Sequence, residues 1–136
     1  MYDVSNLIYD YATNPISNYK PDNYTVENQE WNPMCGDWIN VFLKISNNWV
    51  IEEFWWTWDT SMVTTAAVSM LAEIIDQEHI DNVLNMNIED MEELWLEVSR
   101  RRRRSLVLWL LAVRNAIHKY KKDNIEDDFD DLWADD

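Results

Sequence analysis

Apolar and polar positions alternate over one clear stretch of the chain. From Ile39 to Ser46 apolar residues recur at every second position, which predicts a strand with one buried face. A second strand is predicted from Val50 to Phe54, and the turn-like residues 47–49, Asn-Asn-Trp, join the two strands into a hairpin. Residues 16–29 show no sustained period, so they are interpreted as a loop that could contain one short strand.

Apolar residues spaced three and four apart predict helices on both sides of this hairpin. The predicted helices run from Asn6 to Thr13, Ser61 to Ile75, His79 to Leu84, Ile88 to Leu94 and about Arg102 to Tyr120. Because the strands precede most of the helices, the predicted fold class is α+β. We expect a small antiparallel β-sheet of about three strands, covered on one face by helices.

Acidic residues give the chain its net charge of −15, and they are concentrated at its C-terminal end. Eight of the fourteen residues from Asp123 to Asp136 are Asp or Glu. We therefore predict one domain, residues 1–122, followed by an acidic tail, residues 123–136, that is disordered. An acidic protein repels nucleic acid backbones, so no nucleic acid partner is expected despite the arginine block Arg100 to Arg104.

The apolar segments are too short for a membrane protein. The longest, Leu106 to Val113, is about half of the roughly 18 residues that a spanning helix needs, so no membrane partner is expected. The first residues, Met1 to Asn6, are acidic and polar, unlike a secretory signal. Cys35 is the only cysteine, and a lone thiol suits a reducing compartment. These features predict a cytoplasmic location.

The most specific motif is the hexapeptide from Asn32 to Asp37, Asn-Pro-Met-Cys-Gly-Asp. Another Asn-Pro pair, Asn14 and Pro15, follows the first predicted helix. These motifs, with the order of helix, motif, hairpin and further helices, resemble the NifU/IscU-type family of iron–sulfur cluster assembly scaffolds. The resemblance extends from about Leu7 to Tyr120 and implies the NifU/IscU-like fold.

The resemblance also implies a set of ligands for a transient 2Fe–2S cluster, for iron or for zinc. Cys35 stands at the family's first ligand position, whereas Asp59 and Ser105 stand where its second and third cysteines are expected. Asp37 matches the family's acidic residue beside the first ligand. Cys35 is thus the candidate cofactor-binding residue, and all four are candidate metal ligands. One thiolate, two carboxylates and a hydroxyl favour Zn(II) or Fe(II) over a stable iron–sulfur cluster.

Each candidate ligand also has a purely structural interpretation. A lone cysteine such as Cys35 is often an inert, buried residue. Asp59 could cap the helix that follows it, and Asp37 could end the turn that leads into the strand. For Ser105, capping of the last helix is the preferred interpretation.

The function implied by the resemblance is that of a divergent scaffold in iron–sulfur cluster assembly. It would bind iron or zinc or accept sulfur at Cys35, with a cysteine desulfurase as its partner. No enzymatic activity is implied, and both His79 and His118 are predicted to be surface residues without a nucleophile to activate. Two other functions stay open: an interaction module that kept the fold without metal chemistry, and a zinc-dependent sulfur-transfer protein.

Five consecutive arginines, Arg100 to Arg104, oppose the dipole of the helix that they open. They are interpreted as a solvated basic stretch, or as a docking site for an acidic partner or for the chain's own acidic tail. In one bacterial subgroup of the family a proline-containing motif for a dedicated chaperone lies here. Val98 to Arg102 contains no proline, so use of that chaperone is in doubt.

The chain contains one glycine and nine tryptophans, although soluble proteins average about 7% glycine. Trp31, Trp58 and Trp95 stand where the resemblance predicts glycine, and Trp49 occupies a predicted hairpin turn. One hypothesis is that these residues are encoded by UGA codons that the source reads as glycine. The alternative is a chain that is truly rich in tryptophan, in which an aromatic cluster beside the site serves a partner.

Overall fold

The computed structural model describes residues 21–32, 37–57, 62–86, 100–128 and 132. Its strands are β1, β2 and β3, and its helices are numbered here α1 to α3. They are β1 Val26–Asn32, β2 Asp37–Ile45, β3 Ile51–Thr57, α1 Met62–Ile75, α2 Ile80–Leu84 and α3 Arg100–Lys121. The helices predicted at 6–13 and 88–94 lie outside the described residues. The others agree with prediction to within two residues.

The three strands form one antiparallel sheet in the order β1-β2-β3. This sheet and its helices confirm the predicted α+β class, and β2 with β3 confirms the hairpin. The short strand allowed within residues 16–29 is present as β1, which extends on to Asn32. Its half-buried face carries Val26, Asn28 and Glu30, so two of the three inward positions are polar. A search for apolar alternation therefore could not delimit it.

Helices α1 and α3 pack on each other, and α3 also packs on β1 and β2. The inward residues of β2 meet the apolar stripe of α3, and each large aliphatic side chain buried there contributes about 1.5–3 kcal/mol. The fully buried residues at this contact include Ile39, Val41, Leu43, Leu106, Leu110, Val113 and Ile117. Among the described helices, none is both long and apolar enough to cross a bilayer.

The beginning of the acidic C-terminal segment lies against α3. Asn115 Oδ1 accepts a hydrogen bond from the backbone N–H of Asp127 at 2.7 Å, and Arg114 Nε donates to Asp127 Oδ2 at 2.9 Å. Leu132 is buried as well. The division at residue 122 into a domain and an acidic tail stays a prediction; within that tail, Asp123 and Asp127 contact α3.

Candidate functional site

The four candidate ligands fall partly outside the described residues. Cys35 and Asp59 lie outside them, and for Asp37 and Ser105 only the backbone is described. Their role as ligands therefore stays a prediction. The described ends of the neighbouring strands and helices nevertheless show where the chain leaves and re-enters the fold on either side of each candidate.

The segments that carry Cys35 and Asp59 begin at the same end of the sheet. Asn32, the last residue of β1, pairs with Asp37, the first residue of β2, so residues 33–36 connect the two strands at that end. Thr57, the last residue of β3, pairs with Asn40, and Asn40 Nδ2 donates to Thr57 Oγ1 at 3.2 Å. Asn40 is only three residues along β2 from Asp37, about 10 Å. We call this the 32/37 end of the sheet.

Helix α3 runs along the sheet with its N-terminal part, which carries Ser105, directed away from the β2–β3 turn. At mid-strand, Asn28 Nδ2 donates to the carbonyl oxygen of Ala112 at 3.1 Å. From this contact β1 continues four residues to Asn32, about 13 Å, and α3 leads back seven residues to Ser105, about 10 Å. The C-terminal part of α3 lies at the opposite end, where the ring of Tyr120 is 5.8 Å from that of Trp49 in the β2–β3 turn.

Ser105 does not cap helix α3. The helix begins at Arg100, so Ser105 is its sixth residue, more than one turn from the N-terminus. The preferred structural interpretation of this residue was therefore wrong, because the arginine run that precedes it is itself helical. The alternative that Asp59 caps α1 stays a prediction, since residues 58–61 lie outside the described residues.

Both long helices have their N-termini toward the 32/37 end. Helix α1 begins at Met62, shortly after β3 ends at Thr57, and runs back to the β2–β3 turn end, where Gln77 N donates to Ile51 O at 2.8 Å. Helix N-termini carry partial positive charge. A thiolate, carboxylate or sulfide held at this end would thus lie in a favourable potential.

The arginine block forms the first turns of α3 and so lies toward the 32/37 end. There is no acidic residue in the first turn of the helix to offset it. Among the acidic residues of the C-terminal segment, Asp127 contacts Arg114 and His118, and Asp123 contacts His118. Docking of the arginine block on the chain's own acidic tail stays a prediction.

A buried polar network that the sequence analysis missed lies on the C-terminal half of α3. His118 is only 7% exposed, which corrects its prediction as a surface residue. Its Nδ1 is 2.8 Å from Asp123 Oδ2, and its Nε2 is 3.0 Å from Asp127 Oδ2. Only the imidazolium form donates from both nitrogens, so that form satisfies both carboxylates. His79, by contrast, is 41% exposed and caps α2 by accepting from Asp81 N.

The buried network changes the pKa of the Asp123 carboxyl group. The hydrogen bond with His118 lowers the pKa of Asp123, and a second bond from the backbone N–H of Ile125 lowers it further. The nearby charge of Lys121 acts in the same direction. Asp123 therefore contributes stability when it is ionised, above its unfolded-state pKa, and this contribution is lost as the pH falls through its folded-state pKa.

The described surface does not offer a second metal centre. An open cleft of about 540 Å³ borders the His118 network, lined among others by Asn28, Asn115 and Lys119. It borders the C-terminal half of α3, not the helix start that carries Ser105. Within residues 21–32, 37–57, 62–86 and 100–128, no group of three or more His, Cys, Asp or Glu side chains could hold a metal ion.

Two solved structures have this fold. A NifU-like protein (N-terminal) from Brucella abortus is 17% identical, with 89% of this chain and 99% of that chain covered and a TM-score of 0.65. A scaffold protein proposed for iron–sulfur cluster assembly in the SUF system of Fervidobacterium islandicum is 16% identical, with 85% and 96% covered and a TM-score of 0.66. At these identities the likeness establishes the fold alone.

Comparison with curated proteins gives no match. The family model described as the NifU-like N terminal domain, however, matches residues 4–127, which is most of the chain and includes the hexapeptide from Asn32 to Asp37. The family resemblance seen in the sequence is thus confirmed. The chain belongs to the family of NifU-like N-terminal domains.

Proposed function

We propose that this protein is a divergent scaffold for iron–sulfur cluster assembly that binds iron or zinc, or accepts sulfur, at Cys35. The observation that supports the proposal is that residues 33–36 and 58–61 both follow strand ends at the 32/37 end of the sheet. Helix α3 carries Ser105 in its N-terminal part and extends to the β2–β3 turn at the opposite end. Together with family membership, this supports a shared site for Cys35, Asp59 and Ser105.

The positive charge at the 32/37 end is favourable for binding anionic sulfur species. Two helix N-termini and the arginine block would stabilise sulfide, persulfide or thiolate anions. The donor set is harder than three cysteines, because carboxylate and hydroxyl oxygens replace two of the sulfurs. We therefore expect a labile metal or a briefly held cluster, passed on after sulfur arrives from a cysteine desulfurase.

The same donor set also supports zinc-dependent sulfur transfer, in which Cys35 alternates between the metal and an incoming persulfide. An interaction module without metal chemistry is the remaining alternative. As a scaffold the protein would hold its cargo without turning over a substrate, so we propose that it is not an enzyme. All three functions use the same fold, and only metal content and sulfur loading separate them.

The decisive experiment is anaerobic reconstitution with iron and sulfide, with zinc analysis in parallel. The scaffold function predicts visible absorption that is lost in Cys35→Ala. Asp59→Asn should lower metal occupancy several-fold, because it removes an anionic ligand. The matched control is Asp76→Asn, since Asp76 is an exposed carboxylate just beyond the end of α1 and far from the 32/37 end.

A complementary variant tests the site by gain of function. Asp59→Cys with Ser105→Cys would supply three thiolates, the ligands that iron–sulfur clusters prefer. We expect this double variant to retain its cluster through gel filtration, whereas the original chain loses most of it. Zinc without a cluster in every variant would favour sulfur transfer. No metal in any folded variant would leave only the interaction module.

A further inference from the structure

The turn between β2 and β3 has a defined geometry that restricts the residue at position 49. Ser46 N donates to Val50 O at 2.9 Å and Trp49 N donates to Ser46 O at 3.0 Å, so three residues form the loop. Ser46 Oγ also accepts from the backbone N–H groups of Asn48 and Val50, each at 3.2 Å. A three-residue hairpin loop of this kind consists of a type I turn followed by one residue in the left-handed region.

Trp49 is that left-handed residue, with φ of 66°. In this region Cβ approaches the following carbonyl oxygen, so glycine is the usual occupant, and a bulky residue is an outlier. Three other described residues have positive φ: Gln77, Lys122 and Asn124. Asparagine is tolerated there, and Gln77 and Lys122 lie just after helix ends, so Trp49 is the only aromatic residue of the four.

Exposed tryptophans lie at both ends of the sheet. Trp49 is 47% exposed, and Trp31 and Trp38, which pair across β1 and β2 at the 32/37 end, are 47% and 52% exposed. These three make up most of the large apolar side chains exposed on the described part of the chain. Trp49 thus occupies a turn position at which glycine is ordinarily used, while the whole chain has a single glycine.

We propose that position 49 is glycine in the natural protein, encoded by a UGA codon that the source reads as glycine and the standard code does not. This inference is independent of the proposed function. The same reading would apply at any other UGA codon among the nine tryptophans, whereas UGG codons would remain tryptophan. The codons for Trp56 and Trp109 have the largest structural consequence. Both side chains are fully buried, so glycine at these positions would remove much of the core.

The gene and the native protein test the proposal directly. We expect UGA at codon 49, and a peptide spanning residues 45–52, isolated from the source cells, whose mass contains glycine. A UGG codon at position 49 overturns the proposal. A UGA codon with a tryptophan-containing peptide overturns it equally, since the codon would then be read as tryptophan.

Recombinant variants test the backbone argument on the chain itself. Trp49→Gly and Trp49→Ala both lose the ring contact with Tyr120, but only glycine relieves the left-handed strain. We expect the Tm of Trp49→Gly to exceed that of Trp49→Ala by several degrees. Both variants change a surface turn and should fold, so equal Tm values, or a lower value for glycine, would contradict the requirement for glycine.

Discussion

At the scale of single residues, Asp127 joins the C-terminal segment to helix α3. Its Oδ2 contacts Arg114 Nε at 2.9 Å and His118 Nε2 at 3.0 Å, and its backbone contacts Asn115. The side chains of these three residues, Asp127, Arg114 and His118, are less than one fifth exposed. His118 could not be recognised as buried from sequence, because a residue nine positions later must fold back to cover it. Such a contact leaves no local pattern.

Asp127→Asn should be strongly destabilising. It would leave Arg114 and His118 in a poorly solvated place without their shared anion, and we expect a loss of about 2–4 kcal/mol in the free energy of unfolding. Urea denaturation measures this loss. Glu126→Gln is the matched control, since Glu126 is the neighbouring exposed carboxylate. Equal stabilities of the two variants would show that the network contributes nothing.

Asp123 predicts a specific dependence of stability on pH. Because its pKa is lowered in the folded state, its contribution is complete above the unfolded value of about 3.9 and is lost as the pH falls below it. Urea midpoints should therefore fall less steeply for Asp123→Asn than for the original chain between pH 5 and the acid limit. Equal slopes for Asp123→Asn and the original chain would contradict this prediction.

At the scale of elements, the sequence predicted most accurately those that bury apolar faces. Helix α1 was located because buried residues such as Leu71 have apolar neighbours three and four positions away. Strand β2 was located because buried residues such as Val41 have apolar neighbours at every second position. Strand β1 was only partly located, since hydrogen bonds of Asn28 and Glu30 join it to α3 in place of apolar contacts. Polar side chains at alternate positions look like a loop until their partners are known.

Asn115 joins β1, α3 and the C-terminal segment. It is 7% exposed, and its side chain bonds Glu30 Oε1 at 2.9 Å, Asp127 O at 3.0 Å and Asp127 N at 2.7 Å. Asn115→Ala should lower the free energy of unfolding by about 2–4 kcal/mol, because buried groups lose their partners. Asn82→Ala removes only one exposed hydrogen bond, to Glu78, and should cost about 1 kcal/mol or less. Thermal denaturation of both variants makes the comparison.

The C-terminal end of α3 provides a second test of left-handed backbone. Lys122, just past the last helical residue, has φ of 55°, so Lys122→Gly should raise the free energy of unfolding by about 1 kcal/mol. Lys121 is the last residue of the helix and has right-handed backbone, so Lys121→Gly should lower it, by up to about 1 kcal/mol. Opposite signs from adjacent positions are the expected result of urea denaturation. Destabilisation by both would contradict it.

At the scale of the whole molecule, the family and fold class could be predicted from sequence, but the site could only be proposed. The hexapeptide from Asn32 to Asp37 is specific enough to identify the family, and the family model covers most of the chain. The candidate ligands come from three distant parts of the sequence. Whether Asp59 and Ser105 face Cys35 depends on connections outside the described residues, which spacing along the chain cannot establish.

The contacts that stabilise the fold and the candidate ligands belong to opposite ends of the sheet. This separation has a consequence for how the ligands can be substituted during evolution. The His118 network, the β2–β3 turn and the docked acidic segment hold the end away from Cys35, and the apolar core lies between. Under the proposed function, replacing cysteine by aspartate or serine at the 32/37 end would alter metal preference with little penalty for folding. A lineage could exchange ligands there stepwise, passing through cluster, iron and zinc chemistry, while every intermediate remains a folded protein.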